Sequence, residues 1–122
     1  MTRFDADTEA DRRALFAEAI EAHRTRDSGF CTLEADETTW IQVGEDVVNL
    51  DCTDAELDRL EALLNDFSAF SIEGMASPEN VEGTNVRVQT YADEERIAGF
   101  LERCFREVYD RPEGYVAWAT EV

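Results

Sequence analysis

The chain contains no lysine. All eleven of its basic residues are arginine, they stand against 29 aspartates and glutamates, and the net charge over 122 residues is −18. Other scarcities exclude chemistry. Three cysteines (Cys31, Cys52, Cys104), odd in number and far apart, make neither a disulfide framework nor paired zinc ligands. They read as small buried hydrophobes in a reducing compartment. Histidine occurs once, at His23, with no serine, cysteine or carboxylate constellation near it in sequence to make a general base. It reads as bordering the core. There is no GxGxxG, no phosphate-binding loop and no GxSxG. No apolar run approaches bilayer length, and the charged start MTRFDADTEADRR carries no leader pattern, so a cytoplasmic protein is expected. Internal repeats, low-complexity tracts and linkers are missing, which leaves residues 1–122 as one domain. At that length about two-thirds of the unfolded surface is buried, enough for a core without metals or staples.

What the chain has in excess is carboxylate. In dilute buffer such like-charge crowding pushes the compact state apart. At about 1 M salt the Debye length falls to about 3 Å and the repulsion almost vanishes. Carboxylates also hold water and hydrated K+ or Na+ at the surface. Arginine in place of lysine keeps a planar fork that pairs with carboxylates and removes a flexible apolar stem. In this respect the composition resembles that of haloarchaeal proteins as a class, and it implies a cytoplasm at molar salt. Nucleic acid is a disfavoured partner, since phosphate neutralisation supplies much of that affinity. Adjacent carboxylates such as Asp36-Glu37, Glu45-Asp46 and Glu94-Glu95 are expected by chance at this density and do not match calcium-loop spacing. No cofactor or metal site is expected.

The pattern of elements is clearer. Residues 7–26 predict a helix with Leu15, Phe16, Ala19, Ile20 and His23 on one face, ended by Ser28-Gly29. Strands follow at 30–34, 39–43 and 47–52, the last two joined by Gly44-Glu45-Asp46. Thr53-Asp54-Ala55-Glu56 is a capping box that opens a helix striped by Leu57, Leu60, Leu64 and Phe67. A strand over 68–74, a loop over 76–84 and a strand over 85–91 come next. Asp93 then caps a third helix bearing Ile97, Phe100, Leu101, Cys104, Phe105 and Val108. Arg111-Pro112-Glu113-Gly114 breaks it before a last strand over 115–120. The fold class is α+β, an antiparallel sheet with helices in the order α-β-β-β-α-β-β-α-β. From about residue 47 the order βαββαβ predicts a ferredoxin-like core. The first eight elements resemble, in order, type III secretion chaperones and related small dimeric domains.

Two groups of residues stand out as candidates. In the first helix Ala10, Ala14 and Ala17 form a smooth second face, with Arg13 and Arg24 nearby. Residues 1–27 carry five arginines and seven acids, while the remainder carries six against twenty-two. A charge-balanced, small-residue face suits contact with a partner or a second copy. Trp40 and Trp118 are sheet-face anchors and candidates for ligand stacking, together with the 76–84 loop. Gly99, inside the third helix, costs about 1 kcal/mol relative to alanine, so either a neighbour packs closely there or the loss is tolerated. The expected function is a non-enzymatic protein-interaction module, a dimer or the partner of another protein. A small-molecule-binding regulatory domain ranks second, and an enzyme using carboxylates alone ranks last. From the charge alone, the chain unfolds in dilute buffer. Circular dichroism is expected to show the fold at molar KCl and its loss on desalting; full retention at low salt contradicts the argument.

Overall fold

The computed structural model describes residues 5–26, 30–36, 39–77 and 83–120. Ser28-Gly29, Glu37 and residues 78–82 of the 76–84 loop lie outside the described residues. The elements are β1 (Asp5–Ala6), α1 (Glu9–Arg26), β2 (Cys31–Ala35), β3 (Thr39–Val43), β4 (Val47–Cys52), α2 (Asp54–Leu64), β5 (Phe70–Ala76), β6 (Thr84–Thr90), α3 (Glu94–Arg103) and β7 (Ala117–Thr120). The α-β-β-β-α-β-β-α order therefore runs from α1 to α3, as the sequence predicts, with a two-residue strand added in front.

The local signals act as expected. The Thr53 hydroxyl accepts the Glu56 N–H at 3.2 Å and the Glu56 carboxylate accepts the Thr53 N–H at 2.8 Å, closing the capping box of α2. The Asp93 carboxylate accepts the Arg96 N–H at 2.9 Å and starts α3. The end of α3 departs from prediction. Residues Cys104–Val108 widen into a π-helical turn, with the Tyr109 N–H bonded to the Cys104 carbonyl at 3.0 Å. Arginine side chains hold the carbonyls at this exit. Arg59 donates twice to Val108 O (2.9 and 2.7 Å), Arg111 to Tyr109 O (3.1 Å) and Arg106 to Arg111 O (3.0 Å). They satisfy acceptors that a helix end leaves open.

All seven strands join one antiparallel sheet in the order β1-β7-β2-β3-β4-β6-β5. This corrects the ferredoxin-like expectation, which requires β7 beside β4. The Gly44–Asp46 turn is too short to let β3 lie anywhere but next to β4, and β2 pairs with β3 in turn. The place for β7 is thus filled by a hairpin, and β7 pairs with β2 instead. Alternation on the strands decides the layers. Leu33, Ile41, Val48, Leu50, Val86 and Val88 are fully buried, and their neighbours in sequence point the other way. Phe16 and Ile20 of α1, Leu60 and Leu63 of α2, and Ile97, Phe100, Leu101 and Phe105 of α3 share one core with those strand residues. All three helices therefore cover the same face of the sheet.

One polar cluster lies inside that core. Arg12 of α1, 0% exposed, makes a two-pronged bond to Glu102 of α3, both contacts at 2.8 Å. It also donates to the Tyr115 carbonyl at 3.0 Å, and its guanidinium carbon lies 3.9 Å from the centre of the Tyr115 ring. The Tyr115 hydroxyl donates to the same Glu102 at 2.8 Å. Burial, then the Glu102 charge, raises the tyrosine pKa, so the phenol stays a donor. Removing one partner of a buried ion pair costs about 3–5 kcal/mol, because the other charge stays buried and unmatched. Arg12→Met is expected to cost that much in denaturant titration at molar KCl, and Arg12→Met with Glu102→Leu to cost less. A single substitution that costs under about 1 kcal/mol would contradict this role.

Candidate functional site

With every helix on one side, the other face of the sheet is open. Strand register arranges its side chains in rows. Glu34 on β2 pairs with Trp40 on β3 and with Trp118 on β7, and Trp118 pairs with Asp5 on β1. Both tryptophans of the chain therefore flank one carboxylate on the same face, about 10 Å apart at two strand spacings. The next row runs Thr32, Gln42, Asn49, Arg87 and Gly74 across β2, β3, β4, β6 and β5. A third row carries Val47, Gln89 and Ser71. Trp40 is 38% exposed, and Tyr91, whose hydroxyl accepts from Gln89 at 2.8 Å, is 79% exposed.

The chemistry of this face departs from that of the chain as a whole. In these rows and their ends the charged side chains are Asp5, Glu34, Asp51, Arg87 and, in the β5 bulge opposite Arg87, the exposed Glu73; Asp51 is held by the Asn85 amide at 2.9 Å. The centre is made of amides and hydroxyls: Thr32, Gln42, Asn49 and Gln89. Asn49 Oδ1 is shielded from solvent and accepts no hydrogen bond. Gly74 has a specific use here. A Cβ at that position would stand 2.6 Å from Arg87 Nη2, so the glycine lets the guanidinium lie across β5.

The predicted partner face on α1 is divided by the structure. Ala10 and Ala14 are exposed, while Ala17 packs partly against the core. Arg13 lies over Gly99 of α3: a Cβ there would meet Arg13 Nη2 at 2.9 Å. The close neighbour of Gly99 is thus the end of a flexible, exposed side chain, 3.6 Å from Glu9. Arg24 is held within the chain, by Glu94 at 3.3 Å and the Ala92 carbonyl at 3.4 Å, and docks α1 onto the start of α3. The sequence could not show that Arg13 and Arg24 face different surroundings.

Between α1, α3 and the α2–β5 corner lies a groove of about 810 Å3. It holds several carboxylates, but each one with a bond already serves the fold. Asp66 and Glu107 both bind Arg103, at 3.0 and 2.6 Å. Glu102 belongs to the Arg12 cluster, and Asp93 caps α3. These acids are matched to cations and backbone N–H groups, not turned on one another as an acid–base pair would be.

His23 is buried at 5% exposure, so it lies within the core and not at its border. The three cysteines are also buried, as thiols and not as disulfides. Burial, followed by the nearby Glu56 charge, pushes the Cys52 thiol up to about 11, and burial raises Cys104 as well. Thiols of that kind stay protonated near neutrality and are poor nucleophiles. Among the described residues no group of three or more His, Cys, Asp or Glu side chains is placed to hold a metal ion. None of the described helices is long and apolar enough to cross a membrane.

Sequence reasoning found Trp40 and Trp118 but missed Glu34, Gln42, Asn49 and Arg87. Their signal was the strand alternation itself, which places each of them opposite a buried neighbour. No curated protein and no solved structure matches the chain. A family model does match it, across residues 1–122: the chain belongs to DUF7975, a family of unknown function.

Proposed function

We propose that the protein is a non-catalytic interaction module of a halophile's cytoplasm, and that the open face of its sheet is the binding surface. The observation that carries this reading is the charge of that face. A chain with net charge −18 leaves the middle row of one sheet face to the amides and hydroxyl of Gln42, Asn49 and Thr32, with Trp40 and Trp118 beside it on either side of Glu34. Depletion of charge at the centre with enrichment of aromatics is the composition of an interface core. Molar salt makes such a surface easier to cover, since hydrophobic burial persists while charge repulsion is screened. The acidic remainder then keeps the assembled protein dissolved.

A second reading, a small-molecule sensor, is favoured by the two indoles on either side of Glu34, which suit a cation. It ranks lower because the row lies on an open sheet and ligand sites are concave.

The test compares two surfaces. Tagged wild type, Trp40→Glu and Ala14→Glu are used to capture protein from a haloarchaeal lysate at molar KCl. The expected result is a stoichiometric polypeptide, identified by mass spectrometry, that is held by wild type and Ala14→Glu and lost with Trp40→Glu. Loss with Ala14→Glu alone would move the binding surface to α1. Equal capture by all three, or none, would overturn the reading.

A further inference from the structure

We propose that the open sheet face binds the same face of a second copy of the chain, about a two-fold axis running along the strands between β3 and β4. The inference rests on the interface reading above and adds the identity of the partner.

A two-fold interface must be complementary to itself, because each patch meets its own image. The open face meets that condition in three ways. Its centre is Gln42 and Asn49, cross-strand neighbours on β3 and β4. An axis between these strands lays Gln42 of one copy over Asn49 of the other, and side-chain amides both donate and accept. Asn49 Oδ1 is already shielded and unbonded in the single copy, so covering it costs little further dehydration.

Charge is the second condition. Glu34 lies on β2 and Arg87 on β6, one strand outside β3 and one strand outside β4. They are therefore equally far from the midline and opposite in sign. The axis exchanges the two sides, so β2 of each copy lies over β6 of the other: Glu34 comes over Asn85, one row along the strand from Arg87, a step that the long arginine side chain spans. The same operation carries β7 over β5, placing Trp118 of one copy toward Gly74 and Ala76 of the other, which lie in the rows of Arg87 and Asn85. A bulky side chain then meets small ones. A translation or an axis across the strands would not bring these opposites together.

Area is the third. Seven strands spaced about 4.8 Å, the five from β2 to β6 holding five to seven residues that rise about 3.4 Å each, give a face of roughly 30 by 20 Å. Two such faces bury about 1,200 Å2, at the lower end of specific interfaces. Two packed sheets stack about 10 Å apart with strands near −30°, so the outward rows become the middle of a four-layer assembly, helices outside.

The experiment is molar mass by light scattering at molar KCl over a range of protein concentrations, with circular dichroism on each sample. Wild type is expected to reach twice 13.8 kDa. Gln42→Glu, which sets a charge at the axis, is expected to stay at the single-chain mass while folded, and Ala14→Glu to behave as wild type. Arg87→Glu, on an exposed side chain, provides the same reading if Gln42→Glu fails to fold. A wild-type mass that doubles and is unchanged by both sheet-face substitutions overturns the inference. So does a wild type that stays single at all concentrations. In that last case the interface reading stands or falls separately, on whether Trp40→Glu loses a different captured protein.

Discussion

A bidentate bond between Arg12 and Glu102 holds the helical layer to itself and to the last strand. Arg12 comes from α1, Glu102 from α3, and Tyr115, which both engage, opens the segment that leads into β7. Without it the first and third helices keep only apolar contact and the part-buried Arg24–Glu94 pair, and the segment before β7 loses one of its two anchors. Asp36 secures the same segment from the sheet side: its carboxylate accepts the Val116 N–H at 3.2 Å while its own N–H bonds Val116 O at 3.0 Å. The pair is possible because arginine offers a planar fork that lysine lacks. A chain that makes all its cations arginine uses them the same way elsewhere, on the carbonyls of Val108, Tyr109 and Arg111 and on Asp66 and Glu107. In a protein so short of positive charge, arginine acts mainly as an internal clamp.

This use of the cations leaves the carboxylates to face water, and the division between the two faces of the sheet follows. The helices turn much of their acid outward and hide the aliphatic strand residues. The opposite face has no helix to protect it, and yet in its middle row only Arg87 is charged. Threonine, glutamine and asparagine occupy positions where the solvated surface of so acidic a chain would carry aspartate and glutamate. Such a face is soluble enough for a single chain and dry enough to be covered, which is why it supports an interface better than the mostly exposed alanine stripe of α1.

Much of the fold was legible because its signals are local. Thr53 with Glu56 and Asp93 before Ile97 mark helix starts that need no tertiary context. The alternation of Leu33, Ile41, Val48 and Val86 marks strands and faces. Neighbour relations were not legible: alternation tells which side a residue faces but not which strand lies beside it. That is why the β2–β3 hairpin could slip between β4 and β7 unseen, and why Trp40 and Trp118, almost eighty residues apart, could not be placed on either side of Glu34. The buried ion pair did leave a trace. Arg12 falls in step with Leu15, Phe16 and Ile20, and Glu102 in step with Ala98, Leu101 and Phe105, so each helix has one charge of opposite sign on its apolar stripe. Two such violations of the hydrophobic pattern are a signature of a matched pair. The π-helical turn had no such trace, since Cys104, Phe105 and Val108 fit an ordinary helix equally well.

The claim that the open face is covered by another copy can be tested without labels, because both tryptophans lie on it. Acrylamide quenching of their emission, at fixed molar KCl and rising protein concentration, measures how much of that face solvent reaches. The structure predicts that quenching weakens as concentration passes through the dissociation constant of the pair. Quenching that stays constant across the whole range, with the fold intact, would contradict it.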